Sequence, residues 1–303
     1  MSDDSRAALE NLLAELRPRL HRYCARMTGS TVDGEDVVQD AMIKALHAWD
    51  QVRPVDNPTG WIFRIAHNTA LDLLRCRSRE PATQPAEDLE MIVADDVPDD
   101  AQEVALLSLR TFLRLPALQR SAVILKDVLG HSIEEVSSIT GASPAAAKSA
   151  LQRGRTRLRE LSTEPEDIDL PQLSAQVQAR LVAYVTGFRT GDFDAVRQML
   201  ADDVKLDLAG KMMMQGKSTV REYYTRYAEA AHRWAYGIGV VEGRPAMLVF
   251  ERAVSLETPA YFVALTFVDD RVTVIHDFLF ARYALEGVEL VSGESGENAV
   301  AAE

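Results

Sequence analysis

Residues 132–161 read SIEEVSSITGASPAAAKSALQRGRTRLREL. Ser132 followed three positions later by Glu135 is a capping box, in which a hydroxyl and a carboxylate each satisfy a backbone N–H at the start of a helix, so one is predicted from Ile133 to Thr140. Gly141 can adopt the left-handed conformation that ends a helix, Ser143 can cap the next, and Pro144 suits a first helical position because its missing N–H is unpaired there anyway. A longer helix is therefore predicted from Pro144 to about Leu161. On it Ala147, Leu151, Gly154, Leu158 and Leu161 share one stripe. Lys148, Gln152, Arg155 and Arg159 form the neighbouring stripe, with Ser149, Arg153 and Arg157 beyond it. A short capped helix, a glycine turn and a longer basic helix make a helix-turn-helix, which lays the first turns of its second helix against base edges.

Charge supports that reading only when it is resolved along the chain. The 303 residues carry a formal net charge of -13, which taken as a whole argues against a nucleic-acid partner. Residues 101–162, however, hold nine basic side chains against five acidic ones and form the sole net-basic block. Residues 81–100 hold seven acids and no base. Pooled charge thus hides a local cationic footprint. At 47% apolar and 26% charged the composition is that of a soluble globular chain. No apolar run approaches the ~18 residues of a membrane span and no leader pattern opens the sequence, so a cytoplasmic location with no membrane partner is expected. Cys24 and Cys76 are too few and too isolated for a zinc cluster or a disulfide framework, and neither a metal nor a cofactor is expected.

Upstream of the helix-turn-helix, residues 6–75 carry helical periodicity. Pro18 should kink the first helix and Gly29 should end it. Asp33 is expected to cap a second helix reaching Trp49, and after the turn at 53–58 Thr59 is expected to cap a third, from Gly60 to Arg75. Residues 81–102 read as an acidic linker, helices resume at 103, and Pro116 opens one that Gly130 ends. A second connector spans 163–171. Beyond it the pattern changes: helices over 173–200 and 218–232, a short strand at Val204–Leu208, then period-two runs at 236–241, 246–256, 260–268 and 272–283, the last two joined by Asp269-Asp270 as a hairpin. This is an α+β domain. Residues 287–303 are expected to form a disordered acidic tail.

Four blocks in this order carry a resemblance: DGEDVVQD at 33–40; WIFRIAHN at 61–68 with Asp72 and Arg75; Leu115-Pro116 with Gln119-Arg120; and Lys148-Ser149 with Leu151 and Arg153. The chain resembles the extracytoplasmic-function (ECF) type of sigma factor, the class with sigma regions two and four only. The resemblance implies two all-α domains, region two at 1–80 and region four at 103–162. It further implies core RNA polymerase and promoter DNA as partners and no catalysis. On this resemblance Asp36, Val37, Gln39, Asp40 and Ile43 would dock on the polymerase. Arg53, Asn57, Arg64, His67, Asn68 and Arg75 would melt and capture the minus-10 element. Ala145, Ala146, Lys148, Ser149, Gln152, Arg153 and Arg155 would meet the minus-35 element. Where the family commonly reads Thr-Val-Lys-Ser-Arg-Leu, this chain has Ala146-Ala147-Lys148-Ser149-Ala150-Leu151, which removes a hydroxyl and a guanidinium from base readout. The bottom-up rival is a helix-turn-helix regulator that works without polymerase and senses a small molecule through its C-terminal domain. It leaves the blocks at 33–40 and 61–68 unexplained.

Residues 172–286 resemble a SnoaL-like domain, a cone-shaped α+β fold, through Thr190-Gly191-Asp192-Phe193-Asp194, Leu200-Ala201-Asp202-Asp203-Val204 and the closing strands. In certain sigma factors such an extension modulates activity in cis. Asp207, Met213, Tyr227, Phe262, His276 and Phe278 are the candidate residues of a ligand pocket, the ligand being left open. His276 and Asp277 are adjacent on one strand and so point to opposite faces, which leaves no paired acid and base.

Overall fold

The structure, a computed structural model, describes residues 3–52, 55–77, 104, 107–163 and 172–293. Arg53 and the connectors expected at 81–102 and 163–171 fall almost wholly outside them. The chain divides into two compact units, Met1–Asp167 and Ile168–Glu303.

The first unit is helical: α1 (Asp3–Thr28), α2 (Thr31–Val52), α3 (Pro58–Arg77), α4 (Leu109–Leu113), α5 (Ala117–Val123) continued by a π-turn (Ile124–Val128), α6 (Ile133–Thr140) and α7 (Pro144–Thr163). Pro18 lies inside an unbroken α1. Gly29, at φ 71°, ends it as expected. The start of α2 differs from expectation: Ser30 Oγ accepts from the Asp33 N–H at 3.3 Å, while the Asp33 carboxylate is taken by Arg77 at 2.5 Å. The capping box at Ser132 and Glu135 is formed in both directions, at 3.1 and 2.7 Å. Gly141 stands at φ 75°, and Ser143 Oγ accepts from Ala146 N at 3.2 Å.

The regions predicted as separate helical domains share one core. Leu20, Tyr23, Met27, Phe63 and Ala66 from the first belong to the same apolar cluster as Phe112, Val123, Ile124, Leu151 and Leu158 from the second. Arg120, 7% exposed, joins them by donating to the carbonyls of Met27 at 2.6 Å, Leu115 at 2.9 Å and Leu113 at 3.2 Å. Burial lowers its guanidinium to about 10, which leaves it charged at neutral pH. Gly154 lets α7 lie close on α5, since a Cβ there would sit 2.7 Å from Val123 Cγ2.

The second unit is α+β. Helices α8 (Ala175–Thr190), α9 (Phe193–Gln198) and α10 (Lys217–Glu229) accompany a seven-stranded mixed sheet of order β2-β1-β6-β5-β4-β3-β7. Its strands are β1 (Leu200–Leu208), β2 (Met212–Gln215), β3 (Trp234–Val241), β4 (Arg244–Glu251), β5 (Tyr261–Val268), β6 (Arg271–Asp277) and β7 (Leu290–Ser292). The β5–β6 hairpin turns at Asp269 and Asp270, both at positive φ (47° and 67°), the geometry of a tight turn that follows strand twist. One strand was not anticipated, β2 in the methionine run, and two expectations are corrected: β6 ends at Asp277 instead of Tyr283, and residues 290–292 pair with β3 where a disordered tail was expected.

Candidate nucleic-acid interface

On α2 the apolar stripe Val37, Val38, Ala41 and Ala45 is buried, which turns Asp36, Asp40 and Ile43 outward, Ile43 being 42% exposed, with Gln39 half-buried at the edge. Val37, at 2% exposure, is a core residue and drops out of the expected docking set. Lys44 Nζ donates to Thr69 Oγ1 at 3.0 Å and fastens α2 to α3.

The exposed residues of α3 include Arg64, Asn68 and Arg75. They share a face, so two guanidiniums suited to phosphates flank one amide suited to a base edge. Arg75 also bonds Asp72 at 3.0 Å. Asn57 accepts from Gly60 N at 2.9 Å, so it caps α3 in the place expected of Thr59. His67 does not join the exposed set. Its ring is 4% exposed, Nδ1 lies 2.7 Å from Tyr23 Oη, and burial, with Arg75 and Arg64 adding to it, lowers the imidazole to about 4. It is a neutral internal hydrogen-bonding group. Trp61 is half-buried against Trp49, with ring centroids 5.7 Å apart.

On α7 the stripe Ala147, Leu151, Gly154, Leu158 and Leu161 is buried as read, together with Ala150. Ala145 and Lys148 are exposed, and Ala146, Ser149, Gln152 and Arg153 half-buried, along the face that follows the glycine turn. Arg155 belongs elsewhere. It grips Asp127 at 2.9 and 2.5 Å, a pair whose carboxylate is 2% exposed, and so ties α7 to the π-turn instead of offering its charge to a phosphate. Asp127 lies 28 positions away, which is why spacing along α7 could not reveal this engagement.

Known proteins match the helical regions that carry these surfaces. The profile of Sigma-70 region 2 matches residues 12–80 and that of Sigma-70, region 4 matches residues 109–158. The RNA polymerase sigma factor CarQ of Myxococcus xanthus is 35% identical over 54% of this chain and 94% of its own length. The chain belongs to the ECF-type RNA polymerase sigma factors. The ECF RNA polymerase sigma factor SigG of Mycobacterium tuberculosis is 26% identical, and its alignment takes in 92% of this chain and 83% of SigG. A crystal structure of the Mycobacterium tuberculosis extracytoplasmic function sigma factor SigJ aligns with 88% of this chain and 95% of its own, at 19% identity and a TM-score of 0.35.

In this sigma factor the sheet unit is organised around a residue outside the expected pocket set. Asp277 is fully buried. It accepts from Tyr223 and Tyr227 hydroxyls at 2.8 Å each and, through its other oxygen, from Leu279 N at 2.8 Å. Burial raises its carboxyl to about 6 against the opposing pull of those three bonds. Because the single Tyr227 proton is committed to Asp277, Tyr261, 2.9 Å away, must donate to Tyr227. Strand register explains the arrangement: Asp277 pairs with Leu208 and Val263, whereas His276 pairs with Asp207 and Ala264. Directly paired residues share a face, so Asp207, Met213 and His276 lie on the sheet face opposite Asp277. Phe262 and Phe278 stack on each other at 4.4 Å. Of the six expected pocket residues only Tyr227 lines the cavity of about 420 Å³ that opens beside Tyr223 and Tyr261. A sequence signal for the true cluster existed: Tyr223 and Tyr227 are one helical turn apart and project from one face.

Proposed function

We propose that this sigma factor docks on core RNA polymerase through Asp36, Gln39, Asp40 and Ile43 of α2. It then captures the minus-10 element of a promoter with Arg64, Asn68 and Arg75 of α3, and meets the minus-35 element with Lys148, Ser149, Gln152 and Arg153 at the start of α7. The observation that carries the reading is the outward α2 face: two carboxylates, an amide and an exposed isoleucine stand over a fully buried stripe, the mixed polar and apolar make-up of a protein interface. A regulator acting without polymerase has no use for it. The half-buried, cationic start of α7 supplies the second contact, and few phosphate-binding cations are present, so useful promoter affinity depends on the polymerase.

The C-terminal unit serves regulation in cis: of its two buried carboxylates, Asp277 is taken up by three hydrogen-bond donors, and Asp207 pairs with His276 on the opposite sheet face, away from the cavity lining. Core polymerase retention on the immobilised chain, followed by run-off transcription, tests the reading. Asp36→Lys with Asp40→Lys should cut retention at least about tenfold, a loss of about 1.4 kcal/mol or more, with helical content unchanged. Deleting residues 172–303 should change run-off yield. An unchanged yield would remove the regulatory part and leave the docking part standing.

A further inference from the structure

The cavity of about 420 Å³ in the sheet unit is lined by three guanidiniums, Arg226 on α10, Arg233 just before β3 and Arg282 beyond β6, and by no carboxylate. One acid answers them from outside the lining. Glu251 accepts from Arg233 at 3.0 and 2.7 Å and from Arg282 at 3.3 Å, and these bonds hold its carboxyl below the usual range. Glu251 thus fixes two of the three cations in place while leaving the lining with a surplus of positive charge. Arg226 forms no ion pair among the described residues.

The carboxylate of Asp277 offsets part of that surplus but does not line the cavity, and three guanidiniums against two carboxylates remain net positive. It lies behind Tyr223 and Tyr227 and is spent on their hydroxyls and on Leu279 N, so the cavity meets phenol rings where the charge would be. The rest of the lining is flat or apolar. Trp234 presents a ring already faced by Arg233 at 4.7 Å, Phe280 is faced by Lys211 at 4.2 Å, and Leu208 and Leu279 complete the wall. A volume in the range of small-molecule sites with a few placed polar groups is the form of a ligand pocket.

We propose that this cavity binds a small organic carboxylate with a flat aromatic body, its carboxylate held by Arg226 together with the Glu251-braced arginines and its ring laid against Trp234 and Phe280. Guanidiniums match a carboxylate by paired N–H donors, and the match gains from the apolar wall around it. A neutral ligand of the same shape would cover Arg226 and give it no partner, which is costly. Bare inorganic phosphate would leave the aromatic wall unused.

Calorimetric titration of the full-length chain with naphthoate, with naphthamide of the same outline, and with inorganic phosphate decides the matter. Saturable one-to-one binding of naphthoate is expected, with naphthamide and phosphate each at least about tenfold weaker. Arg226→Gln should weaken naphthoate at least about tenfold, and Arg226→Lys should recover part of the loss. Arg221→Gln, on the same helix and outside the cavity, should bind as the wild type does. Absence of saturable heat with naphthoate, equal binding of naphthamide or phosphate, or full binding by Arg226→Gln would each overturn the proposal. The readout needs no polymerase, so its failure is separate from a failure of transcription.

Discussion

The helical unit and the sheet unit both bury ionisable networks, and the two are built with opposite polarity. In the helical unit the buried acids Glu35 and Asp127 are ion-paired with Arg17 and Arg155, and the buried groups bonded to neutral partners are bases. His67 sits against Tyr23, His21 lies 3.1 Å from the Thr31 carbonyl, and Arg120 bridges three carbonyls. In the sheet unit the group is an acid, Asp277, under tyrosine hydroxyls. The consequence is an opposite response to pH. The folded His67 titrates at about 4 against the ordinary histidine value of 6.5, so between these limits the unfolded chain binds more protons. Its contribution is therefore full above the unfolded value and is lost as pH falls through 4. His21 and His131, also lowered by burial, act in the same sense. Asp277 is raised from 3.8 to about 6, so the folded chain binds more protons in that window. Its contribution is full below the lower value and is lost as pH rises through the upper. The helical unit is at its best where promoters are read; the sheet unit holds a carboxylate at a cost.

Five substitutions break or sharpen this contrast, taken from the largest effect down. Arg120→Met leaves the carbonyls of Met27, Leu113 and Leu115 without their donor inside a shared core, and should cost the helical unit about 4 kcal/mol. Urea unfolding should show that transition moving while the one from the sheet unit stays. Next comes the pH pair. His67→Gln should flatten a loss of about 3 kcal/mol in the helical unit on acidification, and Asp277→Asn should flatten a loss of about 3 kcal/mol in the sheet unit on alkalinisation. Because Trp49 and Trp61 belong to the helical unit and Trp234 to the sheet unit, fluorescence of a Trp234→Phe chain isolates the former. Third, Tyr223→Phe removes one donor to Asp277 and should cost about 1 to 2 kcal/mol when the carboxylate is ionised and less when it is protonated, with the carboxyl titrating higher by NMR. Last, Gly141→Ala meets open space but must hold φ near 75°, a backbone cost of about 1 kcal/mol on the helix-turn-helix, visible as a small drop in melting temperature.

What could be read in advance follows from how local each cause is. The helix-turn-helix was legible to the residue because a capping box, a glycine stop and a proline start act within a few positions. The outward face of α2 was legible for the same reason, periodicity alone separating Asp36 and Asp40 from Val38 and Ala41. His67 was assigned to the DNA face with Arg64 and Asn68, although its helical neighbours Phe63 and Ala70 are core residues. Its burial shows that the apolar side of the helix prevails over residue type. Long-range pairing defeated the rest. Arg155 meets Asp127 across a turn, Asp277 gathers donors from α10 and from the loop after its own strand, and β2 is a methionine run with weak strand propensity that forms because β1 offers it an edge.

The central claim is that the exposed α2 face and the α3 and α7 surfaces act only when mounted on the transcription machinery. Run-off transcription with purified core RNA polymerase, with and without this chain, on a promoter library tests it most directly. The account predicts discrete transcripts from a subset of promoters that require the chain and disappear with Asp36→Lys and Asp40→Lys together. Transcripts indifferent to the chain, or tight and specific promoter binding by the chain alone at physiological salt, would contradict it.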